Sequence, residues 1–326
     1  MNKTRLISNE VVRASIKSTD LIALMDQVFI DLSAGAVRAL PRNAMFHQNG
    51  NILALMASSH PEENVCGCKI AMFPGPAAAA AGTNQSAIVL FDVNGGALKA
   101  IVAAEHITLV RTAAATAAAT NRLACRDAKT LCLLGAGSQA IAHAEAICAI
   151  RDIEEIRVWS RTEKRLAEAC AKLTEAHPTC RIVSCAEAEQ AVRGSDIVCT
   201  VSKAREPILF GDWLAPGCHV NAVGACGPIF REIDESVLDV SKVYVDSMDT
   251  ALTLAGDLVI PMKSGRFNKE QILGEVGQCR PGTGIGRAED DRTSITLFES
   301  CGLGAQDVAA ARLVLERAAE GESFVF

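Results

Sequence analysis

The chain has 326 residues, of which 49% are hydrophobic, 21% charged and 4% aromatic, with a formal net charge of -6. That length allows about two domains, each able to bury its own core. The acidic balance and the scarcity of aromatic rings exclude a nucleic-acid binder built on a basic footprint or a base-stacking platform.

Residues 1 to about 45 read as helical and polar, with Ile22, Leu24, Met25, Val28, Phe29 and Leu32 at helical spacing. From Ala44 to Ala103 short apolar runs are separated by Gly, Pro and Asn. Residues 52–56, 67–72, 87–92 and 98–103 read as strands, with Asn94-Gly95-Gly96 as a hairpin turn between the last two. Strands without intervening helices predict an α+β segment with a largely antiparallel sheet. Residues 111–125, rich in Ala, predict a helix. Strands and helices then alternate: strands at 130–134, 155–159, 181–183, 197–201, 219–223 and 243–245, with helices at 139–150, 163–177 and 186–193. This rhythm predicts an α/β fold with a Rossmann-type, doubly wound parallel sheet. An apolar strand-like run followed by a helix over 293–319 fits either domain.

Thirteen cysteines sit mostly in apolar stretches such as Leu131-Cys132-Leu133, where free thiols behave as small buried hydrophobes in keeping with a reducing compartment. The Cys66/Cys68 pair lacks a second pair at zinc-site spacing, so no metal is expected. No run of about 18 apolar residues suggests a membrane span, and Met1 to Lys17 lack the order of a signal peptide. A soluble, cytoplasmic protein without membrane or nucleic-acid partners is expected.

The chemistry-bearing motif is Gly135-Ala136-Gly137-Ser138-Gln139-Ala140, a G-x-G-x-x-A between a predicted strand and a predicted helix. Gly135 permits the tight turn, Gly137 lets the backbone approach a pyrophosphate, and Ala140 allows close helix–strand packing. The helix start, with Ser138 and Gln139, supplies unpaired N–H groups to phosphate. An NAD enzyme usually carries an acid at the end of the next strand. Here that strand ends in Ser160-Arg161-Thr162, with no acid before Glu163. Arg161 suits a 2′-phosphate, with Ser160 and Thr162 as further donors, so NADPH is preferred over NADH. Ser160-x-x-Glu163 also reads as a helix capping box.

Outside that domain three cations are candidates for gripping a substrate carboxylate. Arg42 follows Pro41 at the entry to the first strands; Lys69 interrupts an apolar strand; Arg111 opens the Ala-rich helix, where a cation needs a nearby anion.

With these residues the chain resembles the ornithine cyclodeaminase/mu-crystallin family over nearly its whole length. The matching segments are Ile107-Thr108-Leu109-Val110-Arg111-Thr112-Ala113-Ala114, Leu134 to Gln139 of the fingerprint, Val158-Trp159-Ser160-Arg161-Thr162, Glu206-Pro207-Ile208-Leu209-Phe210-Gly211-Asp212-Trp213, Pro216-Gly217-Cys218-His219-Val220-Asn221-Ala222-Val223-Gly224, Val245-Asp246-Ser247, Thr296-Leu297-Phe298-Glu299-Ser300-Cys301-Gly302 and Gln306-Asp307. The resemblance implies a homodimer. Residues 1–112 and 300–326 would form its substrate-binding and dimerisation domain, and 113–299 its NADP-binding Rossmann domain. It implies that Arg42, Lys69 and Arg111 hold the substrate carboxylate, with Lys69 close to the reacting nitrogen. It further implies that Thr83, Asn84 and Thr112 meet the cofactor, and that Thr200, Ser202, Val223 and Gly224 line the nicotinamide side.

One departure matters. Ornithine cyclodeaminases and the related alanine dehydrogenases carry an Asp two residues beyond the Gly of Asn-Ala-Val-Gly, whereas this chain has Cys226 there. A thiol with a pKa near ~8.5 does not replace a carboxylate that must pair with an ammonium. The resemblance is therefore closest to the ketimine-reductase branch. The expected reaction is NADPH-dependent reduction of Δ1-pyrroline-2-carboxylate or Δ1-piperideine-2-carboxylate to L-proline or L-pipecolate. An amino-acid dehydrogenase acting on an open-chain imine, an ornithine cyclodeaminase and a non-catalytic NADPH-binding protein remain as alternatives.

Overall fold

The fold is given by a computed structural model, which describes residues 3–74, 85–280, 283–319 and 323–325. The chain divides into two units, Met1–Thr112 with Leu303–Phe326, and Ala113–Gly302.

The first unit opens with β1 (Lys3–Ile7), α1 (Asn9–Ser15) and α2 (Ser18–Ser33). Five strands follow, β2 (Arg38–Ala39), β3 (Asn43–Phe46), β4 (Ile52–His60), β5 (Val65–Phe73) and β6 (Gln85–Asp92), then β7 (Leu98–Ala103) and α3 (Glu105–Leu123), within which the division between the units falls. Reading the first 45 residues as helical is corrected here, because β1, β2 and β3 lie among them. The reason is physical: β1 is held by long-range pairing, parallel to β7, and every residue of β3 is exposed, so no apolar alternation marks it. The start of α3 is also corrected. It begins at Glu105, so Arg111 lies in its second turn and the argument from an unfavourable helix dipole does not apply.

The second unit is a strand–helix alternation: β8 (Thr130–Leu134), α4 (Ser138–Cys148), β9 (Glu155–Trp159), α5 (Glu163–Ala176), β10 (Arg181–Ser184), α6 (Ala188–Val192), β11 (Ile197–Thr200) and β12 (His219–Ala222). It continues through α7 (Glu235–Val240), β13 (Ser241–Val245), α8 (Met248–Leu254), α9 (Gly256–Lys263), β14 (Ile272–Glu275) and β15 (Ile295–Glu299). The strands run in the order β10-β9-β8-β11-β12-β15-β13-β14, and every pairing is parallel. The chain leaves β8 toward β9 and β10, then returns to place β11 on the other side of β8. The switch point of this doubly wound sheet therefore lies between β8 and β11. The sequence pattern missed α7, α8, α9 and β14, which are short; α9 even contains Pro261.

The chain ends in α10 (Gly304–Arg317) and β16 (Ser323–Val325), which complete the first unit. β16 pairs antiparallel with β1, giving the sheet order β16-β1-β7-β6-β5-β4-β2, with β3 beside β4. Apart from the β1–β7 pair this sheet is antiparallel. α10 packs across β4, β5 and β6. All thirteen cysteines are free thiols. No helix among the described residues is long and apolar enough to cross a membrane.

Candidate active site

In the first unit the sequence places charges in the buried interior. Lys69 stands on β5 opposite Met56 of β4 and Ile88 of β6, both buried, so its side chain belongs to the inner face of the sheet and is only 3% exposed. Arg111 is 4% exposed, in a stretch of α3 whose residues 111–120 are all buried. The acid that compensates them is Asp307, fully buried in the first turn of α10, where the helix dipole favours negative charge.

The geometry is tight. Lys69 Nζ donates to Asp307 Oδ1 at 3.0 Å and to Thr108 Oγ1 at 3.1 Å, and lies 2.9 Å from Asp307 Oδ2. Arg111 Nε donates to Asp307 Oδ1 at 2.9 Å, and its Nη1 donates to Gln306 Oε1 at 3.0 Å. Thr108 and Arg111 are three residues apart on α3 and so share a face. The helix carrying Asp307 is seated closely: a Cβ on Gly304 would lie 2.9 Å from the Met56 carbonyl oxygen.

Burial pulls the Lys69 ammonium down to about 8; Asp307 opposes this, while Arg111 and Arg42 reinforce it. Burial alone would raise the Asp307 carboxyl, yet Arg111 and Lys69 hold it below its ordinary value. Arg42, half-buried between β2 and β3, thus acts on the same cluster through its charge. Lys69 and Arg111 share one carboxylate, which leaves an excess positive charge that suits a further anion. Sequence reasoning found the three cations but not Gln306, Asp307 and Thr108 as the groups that position them. The available signal was an acid and an amide at the start of an otherwise Ala- and Val-rich helix.

In the second unit the fingerprint forms the turn from β8 to α4. Gly135 has φ +136, and a Cβ there would lie 2.8 Å from Val201 O, so only glycine fits. Around Gly137, the N-cap of α4, a Cβ would meet nothing within 4 Å. The first turn of α4, opened by Ser138 and Gln139, has no acidic residue, and Ala140 is fully buried. An open, acid-free helix start behind a glycine turn fits a dinucleotide pyrophosphate.

Strand register aligns the rest. Trp159, Leu134, Thr200, Ala222, Glu299 and Val245 form one row across the carboxyl edge of the sheet. Arg161 therefore lies two residues beyond β9 on one side of the turn; Ser202 lies beyond β11 and Val223 and Gly224 beyond β12 on the other. Arg161 is exposed. The capping box at Ser160 is corrected: Thr162 is the N-cap of α5 and has no side-chain cap bond, while Ser160 Oγ accepts only a 3.4 Å bond from Thr162 N–H. Thr112 Oγ1 donates to Thr108 O at 2.6 Å. Thr83 and Asn84 lie outside the described residues. Cys226 donates its thiol to Val223 O at 3.0 Å and to Ser300 O at 3.4 Å. No group of three or more His, Cys, Asp or Glu among the described residues is arranged to hold a metal ion.

Comparison with known proteins adds to this geometry. The profile of the ornithine cyclodeaminase/mu-crystallin family matches residues 2–322. The ketimine reductase mu-crystallin of Mus musculus is 34% identical over 273 residues, 84% of this chain and 82% of that protein. The structure of Thermococcus litoralis Δ1-pyrroline-2-carboxylate reductase in complex with NADH and L-proline superposes with a TM-score of 0.90 at 29% identity, covering 96% of this chain and 97% of that one. An archaeal alanine dehydrogenase dimer with bound NAD gives a TM-score of 0.92 at 25% identity, covering 99% of both chains.

Proposed function

The chain belongs to the ornithine cyclodeaminase/mu-crystallin family and is an oxidoreductase, and we propose that it reduces a small cyclic ketimine carboxylate with NADPH. The substrates of this reading are Δ1-pyrroline-2-carboxylate and Δ1-piperideine-2-carboxylate, and the products are L-proline and L-pipecolate. The observation that carries it is the buried cluster of Lys69 and Arg111 around Asp307, with Arg42 acting on it.

When bound, the reduced nicotinamide supplies the hydride that adds to the imine carbon. The chain's own residues position and polarise the substrate. Arg111 has Nε and Nη1 committed to Asp307 and Gln306, so its orientation is set before substrate arrives and its remaining nitrogen is left for a carboxylate. Arg42 clamps the same carboxylate. Lys69, fixed by Thr108 and Asp307, is a stationary positive charge that favours electron flow toward the imine nitrogen. Fixing both reactants in this way can supply several kcal/mol of barrier reduction. The nitrogen's proton arrives on the substrate as an iminium or through water.

Parallel assays of the five- and six-membered ketimines with NADPH and NADH test this reading. Turnover of at least one ring with NADPH is expected. Turnover of pyruvate or a longer keto acid plus ammonia, with neither cyclic imine accepted, overturns it in favour of the amino-acid dehydrogenase reading, which the alanine dehydrogenase likeness favours. Cofactor choice has its own test. Arg161→Ala is expected to lower kcat/KM for NADPH by about tenfold or more, the scale of a lost charge-assisted contact, while leaving NADH little changed. Equal effects on both cofactors would remove Arg161 from the 2′-phosphate.

The same reading includes a homodimer, supported by the outer face of the first sheet. Leu55 and Ile70 are cross-strand partners, and with Met45, Met72 and Phe91 they are between 36 and 61% exposed. An uncovered apolar patch of this kind marks an interaction surface; a second copy of the chain covers it. Ile70→Glu is expected to yield monomers in sedimentation velocity, and an undisturbed dimer would move the interface elsewhere.

A further inference from the structure

Apart from the cation cluster, the second unit buries four carboxylates: Glu232, Asp246, Asp257 and Glu299 are each at most 1% exposed. Three of them hold backbone. Asp246 Oδ2 accepts the N–H groups of Cys301 and Gly302, both at 2.8 Å. Asp257 Oδ1 accepts those of Glu232 at 2.7 Å and Ile233 at 3.0 Å. Glu232, fixed in this way, accepts the N–H of Ser202 on Oε1 at 2.6 Å and that of Gly224 on Oε2 at 2.7 Å. One side chain therefore ties the loop after β11 to the loop after β12.

The tie is close enough to dictate a residue type. A Cβ on Gly224 would lie 2.3 Å from Ser202 O and 2.5 Å from both Glu232 carboxylate oxygens. On the other side Val201, next to Ser202, is the residue against which Gly135 of the fingerprint turn is pressed. Contacts thus run from the fingerprint turn through residues 201 and 202 to Glu232 and Gly224. All of them lie on the β11–β12 side of β8, away from Arg161 at the end of β9.

We propose that Glu232 is the positioning residue for the nicotinamide half of the coenzyme site, holding the two loops at the spacing which that half requires. The inference rests on the coenzyme reading above. Glu299 lies beside this arrangement: neither of its oxygens has a hydrogen-bond partner, and burial, then the charges of Asp257, Asp246 and Glu232, push its carboxyl well up.

Two variants and three ligands test the proposal. Glu232→Gln keeps the size of the side chain but turns an amide N–H toward a backbone donor. Glu232→Asp keeps the charge and loses the reach to both loops. Calorimetric titration with reduced coenzyme is compared with titration by ADP-ribose and its 2′-phosphate, which lack the nicotinamide, alongside thermal melting. The expected result is about a tenfold or greater loss of affinity for reduced coenzyme in Glu232→Gln, the scale of a lost charge-assisted hydrogen bond, and a smaller loss in Glu232→Asp. ADP-ribose binding is expected to stay within about twofold, on the scale of additivity errors for sites without shared partners. Equal weakening of both ligands, or no weakening of the coenzyme, overturns the proposal. Should Glu232→Gln fail to fold, Glu232→Asp carries the same comparison. Wild-type protein that binds no reduced coenzyme would instead fail the coenzyme reading itself.

Discussion

Asp307→Ala is expected to destabilise the protein by about 3–5 kcal/mol, the usual result of removing one partner from a buried ion pair, and to abolish turnover. Lys69 and Arg111 are then left buried without their shared anion. Neither can move its charge to solvent, because Lys69 is anchored on the inner face of β5 and Arg111 lies in a fully buried stretch of α3. With the support of Asp307 gone, burial drives Lys69 toward its neutral form, so the anion site also loses a cation. Asp307→Asn separates the two roles of this residue, since it keeps an acceptor for Arg111 Nε but not the charge. Its loss of stability is expected to be smaller, with most of the activity still lost. Urea denaturation checks both; an Asp307→Ala midpoint equal to that of the wild type would refute the central place given to this acid.

Lys69→Ala is expected to lower kcat/KM for the imine acid by about 100-fold or more, on the scale of a lost transition-state electrostatic contact. A variant with intact catalytic efficiency would sink the assigned role. The pH profile gives a second signature. Lys69 has its pKa pulled down to about 8, so it is charged below that pH and loses its positive charge as pH rises through it. Carboxylate binding should weaken in step, appearing as a fall in kcat/KM above pH 8. A bound carboxylate adds negative charge beside Lys69 and raises its pKa, so the corresponding fall in kcat should lie at higher pH. Lys69→Ala should lose this alkaline limb. A limb that persists unchanged in the variant would assign it to another group.

The fingerprint was legible because its determinants are local. A fully buried apolar strand, a glycine that must adopt φ +136 and an Ala against the strand all fall within about a dozen residues. Lys69 and Arg111 were legible as misfits, since a cation in an apolar run implies a partner. The partner was not legible. Asp307 lies 238 residues from Lys69, and no periodicity in the sequence reports a charge pair across that distance. The same limit hid β1, whose neighbours β7 and β16 come from remote parts of the chain. Where local rules were applied to Ser160 they chose the wrong cap. Helix α5 starts two residues later than that reading requires, at Glu163, with Thr162 as its N-cap.

The seating of α10 has a consequence for how this chain comes off the ribosome. Strands β4 to β7, with Lys69 and Arg111, emerge first, yet the helix that covers them and the acid that neutralises them are made only after the whole of the second unit. During synthesis the first sheet waits without α10 across β4 to β6 and with two cations lacking their shared counter-charge. The contiguous second unit has all its strands in hand and completes first. Translation thus reverses the order of the sequence: the half that begins the chain is the half that finishes folding last.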